Sequence, residues 1–177
     1  MEIHRPSLNF GDTAMQIPHP IQDYYPEDAA VCFGCGRNNS HGLHIQTLWD
    51  GNEGTFRFTP KPHHTAFPGV TYGGLIASLI DCHCIATAIA ATYDSEGRPP
   101  GKGPQICYVT GNLNVTFIRP TPIDCELVLR ARVNQLFEKK AVVTCYLYAG
   151  DLKCARGKVV AVRVPTWSGL KTGNTGS

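Results

Sequence analysis

The sequence lacks three features that would point to nucleic acid, membranes or secretion. Its longest basic run is Lys139-Lys140, and 16 basic residues nearly balance 14 acidic ones, so we expect no nucleic-acid partner. No stretch has the roughly 18 uninterrupted apolar residues of a membrane span, because the best candidate, residues 75–91, contains Asp81 and His83. The first 20 residues hold no apolar core, which disfavours a secretory signal.

Cysteine, by contrast, is abundant, with eight residues in a chain of 177. In a secreted chain this number would suggest disulfides, but no signal is evident here. Four of them lie inside strand-like runs as small apolar residues: Cys107, Cys125, Cys145 and Cys154. We therefore expect mostly structural, reduced thiols and a cytoplasmic protein.

The two ends of the chain have the composition of segments outside a core. Residues 1–30 contain four prolines without periodicity and are predicted to form an N-terminal extension. Residues 166–177 are rich in Gly, Ser and Thr and are predicted to form a flexible tail. The length between them suits one domain, predicted for residues 31–165.

The order of apolar patterns predicts an α+β fold. Residues 73–92 are apolar on nearly every side, which is typical of a helix that is buried all round. Period-two alternation predicts strands at 43–49, 54–59, 105–118, 125–137, 141–149 and 153–164. Four antiparallel strands after one buried helix predict a sheet curled around that helix.

The predicted strand 105–118 is unusual because one of its faces is polar. Strict alternation places Thr110 and Asn112 on that face and Val109 and Leu113 on the other. A polar face on a long strand predicts a pocket, an interface or solvent contact.

The chemistry-bearing residues lie on the apolar helix. Gly73 and Gly74 begin it, where free N–H groups and the positive end of the helix dipole can hold a developing oxyanion; a tight turn would also explain them. Asp81 follows about two turns later, too far to cap the helix. Burial of a carboxylate is costly, so Asp81 is either a general base or nucleophile, or is paired with an arginine or backbone donors.

These residues resemble the hotdog-fold thioesterase superfamily, and in particular its PaaI-like acyl-CoA thioesterases. The likeness extends upstream to CFGCG (32–36), HGL (41–43), FTP (58–60) and FPG (67–69), and downstream to LNVTFIRPTP (113–122). It covers about residues 31–164. The resemblance implies a hotdog fold, in which the sheet curls around the central helix, and hydrolysis of an acyl-CoA.

The resemblance also implies roles for individual residues. The Gly73 amide would polarise the thioester carbonyl beside Gly74, and Asp81 would act as base or nucleophile. Thr110 would help to position the water from the neighbouring subunit, because hotdog domains pair through this long strand. Each site would then use both chains of a homodimer, and dimers often associate into tetramers. Asn112 lies on the same polar face and is a candidate substrate-binding residue.

The CoA phosphates require cationic partners, and two arginines are candidates. Arg119 ends the long strand, and Arg156 lies on the last strand. Either guanidinium suits a phosphate, although an ordinary solvated surface would also account for both. No cofactor is expected.

Two departures from the family pattern leave a second hypothesis open. Tyr72 stands where the family usually has a histidine, and Ala66 stands where some relatives have Asn or Gln. The chain is then either a thioesterase that relies on Gly73 or a non-catalytic acyl-CoA-binding protein. His63 and His64 are candidate substitutes, whereas His83, on a different helix face from Asp81, is expected to be structural.

A metal site is the remaining alternative. Cys32-x2-Cys35 followed by His41-x2-His44 offers four ligands within 13 residues, but the spacing fits standard zinc motifs poorly. Cys82 and Cys84 on the helix are expected to be packing residues. We therefore expect no metal.

Overall fold

A single long helix, α1 (Gly73–Ser95), forms the centre of the computed structural model, which describes residues 15–167. The helix begins after Tyr72, whose backbone is extended (ψ 130°). Glu96 is its C-cap, and the following Gly97 has a positive φ of 63°, a conformation that glycine adopts without cost. The helix predicted for residues 73–92 is confirmed and is three residues longer.

Six strands form one antiparallel sheet in the order β1-β2-β6-β7-β8-β5. A separate two-stranded ribbon pairs β3 with β4. The bounds are β1 (Leu48–Trp49), β2 (Gly54–Phe58), β3 (Thr65–Phe67), β4 (Val70–Thr71), β5 (Cys107–Phe117), β6 (Leu127–Leu136), β7 (Lys140–Ala149) and β8 (Leu152–Val164). One helix packed on an antiparallel sheet confirms the predicted α+β class.

The sheet covers only one side of α1. The helix contacts β2, β5, β6, β7 and β8. The sheet lies close to the helix at Gly157 on β8, where an added Cβ would overlap the side chain of Ile80. A glycine here therefore lets the helix lie directly on the sheet.

The chain before β2 covers the rest of the helix. Ile17, Ile21 and Ile45 are 4%, 1% and 0% exposed and belong to the same core cluster as the apolar residues of α1. This second cover explains why α1 has no polar stripe. Length and composition alone would let α1 cross a membrane, yet 67% of its most apolar window is buried by the rest of the described chain.

The predicted end segments fall partly within the described residues. Met15–Ala30 of the predicted extension packs on the core, with an isolated β-bridge between Ile17 and Trp49. At the other end, Trp167 donates from Nε1 to the carbonyl oxygen of Tyr108 at 2.9 Å. Residues 1–14 and 168–177 lie outside the described residues, and the domain boundaries stay predictions.

Two local features differ from the predicted strands. Residues 43–47 are not a strand, because His44 has a left-handed φ of 52° that interrupts extended pairing. In β5, the register against β8 shifts between Thr110 and Asn112, which leaves Gly111 as the extra residue of a β-bulge. The bulge overturns the strict alternation expected for this strand: Tyr108 and Thr110 both face α1, and so does Leu113 after the bulge.

Candidate active site

At the start of α1, the groups that can contact a ligand are backbone N–H groups. Tyr72 caps the helix, and its N–H donates to the carbonyl oxygen of His64 at 2.8 Å. The Tyr72 ring lies over Gly74, where an added Cβ would overlap it, and Gly73 faces the Phe117 ring. The N–H groups of a first helical turn have no acceptor within the helix, so this end can receive a negatively charged oxygen.

A cavity of about 770 Å³ opens beside this end of the helix, and we name it the helix-start cavity. Tyr72, Gly74 and Leu75 line it from α1 and its cap. Its polar wall is formed by His41, His44, Lys61, His63 and His64. Lys61 was not predicted from the sequence, although a run of Lys, Pro and two His at residues 61–64 could have indicated a polar wall.

His64 is held in one tautomer in this wall. Its Nδ1 accepts a hydrogen bond from the N–H of Lys61 at 3.0 Å, and its ring stacks on Phe58. Burial, followed by the nearby His63 and Lys61, lowers the pKa of His64. A neutral imidazole that accepts at Nδ1 carries its proton at Nε2, so His64 offers the cavity an N–H donor.

Asp81 lies in the middle of α1, and Thr110 of the same chain contacts it. The Thr110 hydroxyl donates to Oδ1 of Asp81 at 2.5 Å. Next to the bulge at Gly111, Thr110 faces the helix of its own chain, and its action across a dimer, which the resemblance implies, stays a prediction. Burial raises the pKa of Asp81, and the hydrogen bond from Thr110 opposes that rise.

Asp81 faces a second cavity, of about 420 Å³, which we name the Asp81 cavity. Its wall also contains Asp28, Thr110 and three thiols, those of Cys32, Cys35 and Cys82. The remaining wall is mostly apolar, with Val31, Ile85, Tyr108 and Trp167 among its residues. This cavity can therefore take an apolar group beside a carboxylate.

His83 belongs to the core, as the sequence led us to expect. It is 0% exposed, and its Nδ1 lies 2.8 Å from the hydroxyl of Thr47. Burial lowers the pKa of His83 to about 3, so the ring is neutral. Because it lines neither cavity, we assign it no role in chemistry.

The three other candidate ligand-binding residues lie away from both cavities. Arg119 donates from Nη1 to the carbonyl oxygen of Lys153 at 3.0 Å. Arg156 is exposed between the buried residues Ala155 and Gly157, and therefore lies on the sheet face opposite α1. Asn112 is exposed on β5 after the bulge and is absent from both cavity walls.

The two ends of the candidate site do not meet within one chain. Gly73 and Asp81 are eight residues apart, which is about 12 Å along a helix. They border different cavities: Gly74 lines the helix-start cavity, and Asp81 lines the other. A carbonyl held at the Gly73 amide is thus out of reach of a water molecule on Asp81 of the same chain.

β5 supplies a surface through which a second copy can complete the site. It is an edge strand of 11 residues, and no other strand within residues 15–167 pairs with its outer side. Four large apolar side chains are exposed around its end and the start of α1: Phe67 (74%), Tyr72 (57%), Phe117 (55%) and Ile118 (42%). Exposed apolar residues next to an unpaired edge are typical of an interface.

Comparisons with known proteins agree with this geometry. The family model described as the thioesterase superfamily matches residues 68–155, which include α1 and most of the sheet. A thioesterase superfamily protein from Shewanella loihica is 41% identical, with a TM-score of 0.57 over 71% of this chain and 96% of that one. The PaaI protein of E. coli, from the phenylacetic acid degradation operon, has a TM-score of 0.57 at 14% identity over 69% of this chain and 80% of that one, which shows the fold alone.

The chain is also similar in sequence to part of an acyl-coenzyme A thioesterase. The acyl-coenzyme A thioesterase THEM4 of Xenopus laevis is 29% identical over 94 residues, which are 53% of this chain and 36% of that protein. The chain thus spans about a third of the length of the curated relatives it matches.

Proposed function

Since this chain belongs to the thioesterase superfamily, we propose that it hydrolyses acyl-CoA thioesters, with Asp81 as the catalytic carboxylate. The observation that carries the proposal is the half-buried Asp81, held by Thr110 and open to a mostly apolar cavity. A buried carboxylate with a raised pKa, placed in a cavity, is suited to proton transfer. The name of the THEM4 relatives supports an acyl-CoA as the substrate.

The proposed reaction uses water as the nucleophile. Thr110 holds Oδ1 of Asp81, which leaves Oδ2 to accept a proton from a water molecule. The resulting hydroxide attacks the thioester carbonyl carbon, and the amide of Gly73 stabilises the oxyanion. Collapse of this intermediate breaks the C–S bond, and the CoA thiolate takes up the proton from Asp81. Direct attack by the carboxylate is the alternative route for the same residue.

We propose that each site is shared by two copies of the chain. The separation of about 12 Å between Gly73 and Asp81 prevents one helix from supplying both. Pairing along β5 would bring Gly73 of one copy near Asp81 and Thr110 of its partner. Thr110 lies on that strand, and so does Phe117, whose ring an added Cβ at Gly73 would meet. A homodimer is therefore the smallest active unit in this proposal.

His64 is the residue we propose in place of the histidine that usually precedes the glycine pair. It lines the same cavity as Gly74, and its Nε2–H remains available as a donor because Nδ1 accepts from the N–H of Lys61. Tyr72, at the usual histidine position, is 57% exposed and lies over Gly74. Lys61 and the neighbouring histidines offer donors for the CoA phosphates, a role that Arg119 and Arg156 are poorly placed to fill.

The experiment is the hydrolysis of a panel of acyl-CoAs by the wild type and by Asp81→Asn. We expect kcat to fall by about 100- to 10,000-fold, because general-base catalysis contributes that much. Asp28→Asn is the matched control, since Asp28 is a second carboxylate in the same cavity, and it should retain wild-type rates. Equal rates for Asp81→Asn and the wild type would remove Asp81 from the mechanism.

The same panel separates this proposal from a non-catalytic acyl-CoA-binding protein. Tyr72 in place of histidine is the observation that favours the second hypothesis. Saturable binding of several acyl-CoAs by calorimetry, without release of free thiol from any of them, would select it.

A further inference from the structure

Three thiols meet in the wall of the Asp81 cavity. Cys32 and Cys35 come from the turn at residues 32–36, and Cys82 comes from α1. Their sulfur atoms all lie within 4.8 Å of one another, and those of Cys32 and Cys82 are 3.9 Å apart. All eight cysteines of the chain lie between residues 32 and 154 and are free thiols, so this cluster is not a disulfide.

The turn is shaped to bring its cysteines onto the helix. A Cβ at Gly34 would overlap the sulfur of Cys82, so only glycine permits this approach. A Cβ at Gly36 would lie 2.5 Å from the backbone nitrogen of Cys32, and the N–H of Gly36 donates to the Cys32 carbonyl oxygen at 2.8 Å. Gly36 therefore allows the turn to close tightly, and Gly34 allows it to lie directly against α1.

The cluster stabilises negative charge on one sulfur. Hydrogen bonds from the thiols of Cys35 and Cys82, and then from the backbone N–H groups of Cys35 and Gly34, lower the pKa of Cys32. The thiolate of Cys32 in turn raises the pKa of Cys35 and of Cys82.

The separation of two of the sulfur atoms is that expected around a tetrahedral metal ion, and the third lies within 4.8 Å of both. Zinc binds thiolate at about 2.3 Å, which places two sulfur ligands of a tetrahedron about 3.8 Å apart. The separation of 3.9 Å between Cys32 and Cys82 agrees with this value. We propose that Cys32, Cys35 and Cys82 bind a zinc ion, with a water molecule from the Asp81 cavity as the fourth ligand.

This site differs from the one weighed from the sequence, which paired Cys32 and Cys35 with two histidines. His41 and His44 line the helix-start cavity instead. Cys82, expected to be a packing residue, takes part because the turn folds onto α1. Because two of the ligands come from the turn and one from α1, we expect the ion to hold the turn on the helix.

The test is zinc binding by the untagged chain. The protein is purified with a thiol reductant, incubated with zinc chloride and desalted, and its metal content is measured by inductively coupled plasma mass spectrometry. We expect about one zinc per chain in the wild type, and below about one-tenth in Cys82→Ser. Cys125→Ser, which changes another half-buried thiol, and His41→Ala should both retain the ion.

A second measurement keeps the result clear if Cys82→Ser folds poorly. Cobalt chloride replaces zinc in the wild type, and a thiolate-to-cobalt charge-transfer absorption is expected, together with a higher melting temperature that a chelator reverses. Wild-type protein that holds no zinc, a zinc content unchanged by Cys82→Ser, or a disulfide between Cys32 and Cys35 or Cys82 found by mass spectrometry would overturn the proposal. None of these readouts depends on thioester hydrolysis, so failure here leaves the proposed activity untouched.

Discussion

The start and the middle of α1 are built in opposite ways. At the start, Tyr72, Gly73 and Gly74 present backbone amides to an open cavity. In the middle, Asp81 and Cys82 present side chains, and each is held by a partner from another part of the chain. The two regions belong to one helix but border separate cavities.

This difference shows that one helix can supply backbone donors at its start and a side-chain carboxylate in its middle. A helix start needs only small residues, because its donors are the amides that every helix leaves free. A carboxylate in mid-helix needs neighbours that offset the cost of burial, and Thr110 does so for Asp81. Activity should therefore be sensitive to changes of the backbone at the helix start, and to changes of the residues that contact Asp81 in the middle of the helix.

Among changes to the backbone, the largest effect is expected from removal of one amide at the helix start. Gly73→Pro deletes the N–H at the first helical position, where proline is tolerated and the extended backbone of Tyr72 suits it. We expect kcat for acyl-CoA hydrolysis to fall by about 100- to 1,000-fold. Gly73→Ala keeps the N–H and adds the same Cβ against Phe117, so it should stay near the wild-type rate. If kcat falls equally in both variants, the added side-chain volume is responsible, and not the missing N–H.

A mixing experiment tests whether the two regions act across copies. Gly73→Pro and Asp81→Asn are each nearly inactive, but a mixed dimer contains one site with an intact Gly73 and an intact Asp81. Random reassociation after unfolding gives half mixed dimers, so about a quarter of wild-type activity should return. No recovery, despite mixed dimers seen by native mass spectrometry, would place both residues in one chain's site.

Two glycine substitutions compare the stability of the regions. Gly157→Ala forces a methyl group into buried Ile80, in the middle of the helix, and should lower the free energy of unfolding by about 1–3 kcal/mol. Gly74→Ala meets only the exposed Tyr72 ring, which can move, and alanine favours the helix, so its effect should lie within about 1 kcal/mol of zero. Urea titrations followed by circular dichroism measure both, and similar losses would contradict the comparison.

The smallest effect is expected at the partner of Asp81. Thr110→Val removes the hydroxyl that orients the carboxylate, and we expect a fall in kcat of about 10-fold, in line with a hydrogen bond to a charged group. Thr110→Ser keeps the hydroxyl and should retain most of the activity. Steady-state kinetics on one acyl-CoA compare the two, and equal losses would show that the methyl group, not the hydrogen bond, matters.

Much of the fold could be predicted because it depends on local pattern. Apolar residues on every side predicted that α1 is buried, and alternation predicted most strands of the sheet. The prediction failed in residues 43–47, where the backbone turns left-handed at His44, although glycine is the residue that most often adopts that conformation. It also missed β3 and β4, whose three and two residues are too short to show a period.

Within the candidate site, the sequence could identify Asp81 but not its partners. A carboxylate on an apolar helix stands out in any reading of the chain. Its contact with Thr110 depends on one extra residue at Gly111, and strict alternation would have turned Thr110 away from the helix. Arg156 was a reasonable phosphate ligand by type, but the alternation of β8 places it on the opposite face.

The sequence by itself determined the elements and the residues able to do chemistry: an apolar helix, two glycines at its start and one acid two turns later. These features depend on residue type and spacing, which determine local structure over a few positions. Only the tertiary structure decided which groups meet. The bulge that aims Thr110 at Asp81, the glycine turn that brings Cys32 and Cys35 to Cys82, and the separation of Gly73 from Asp81 by about 12 Å all result from packing between distant segments.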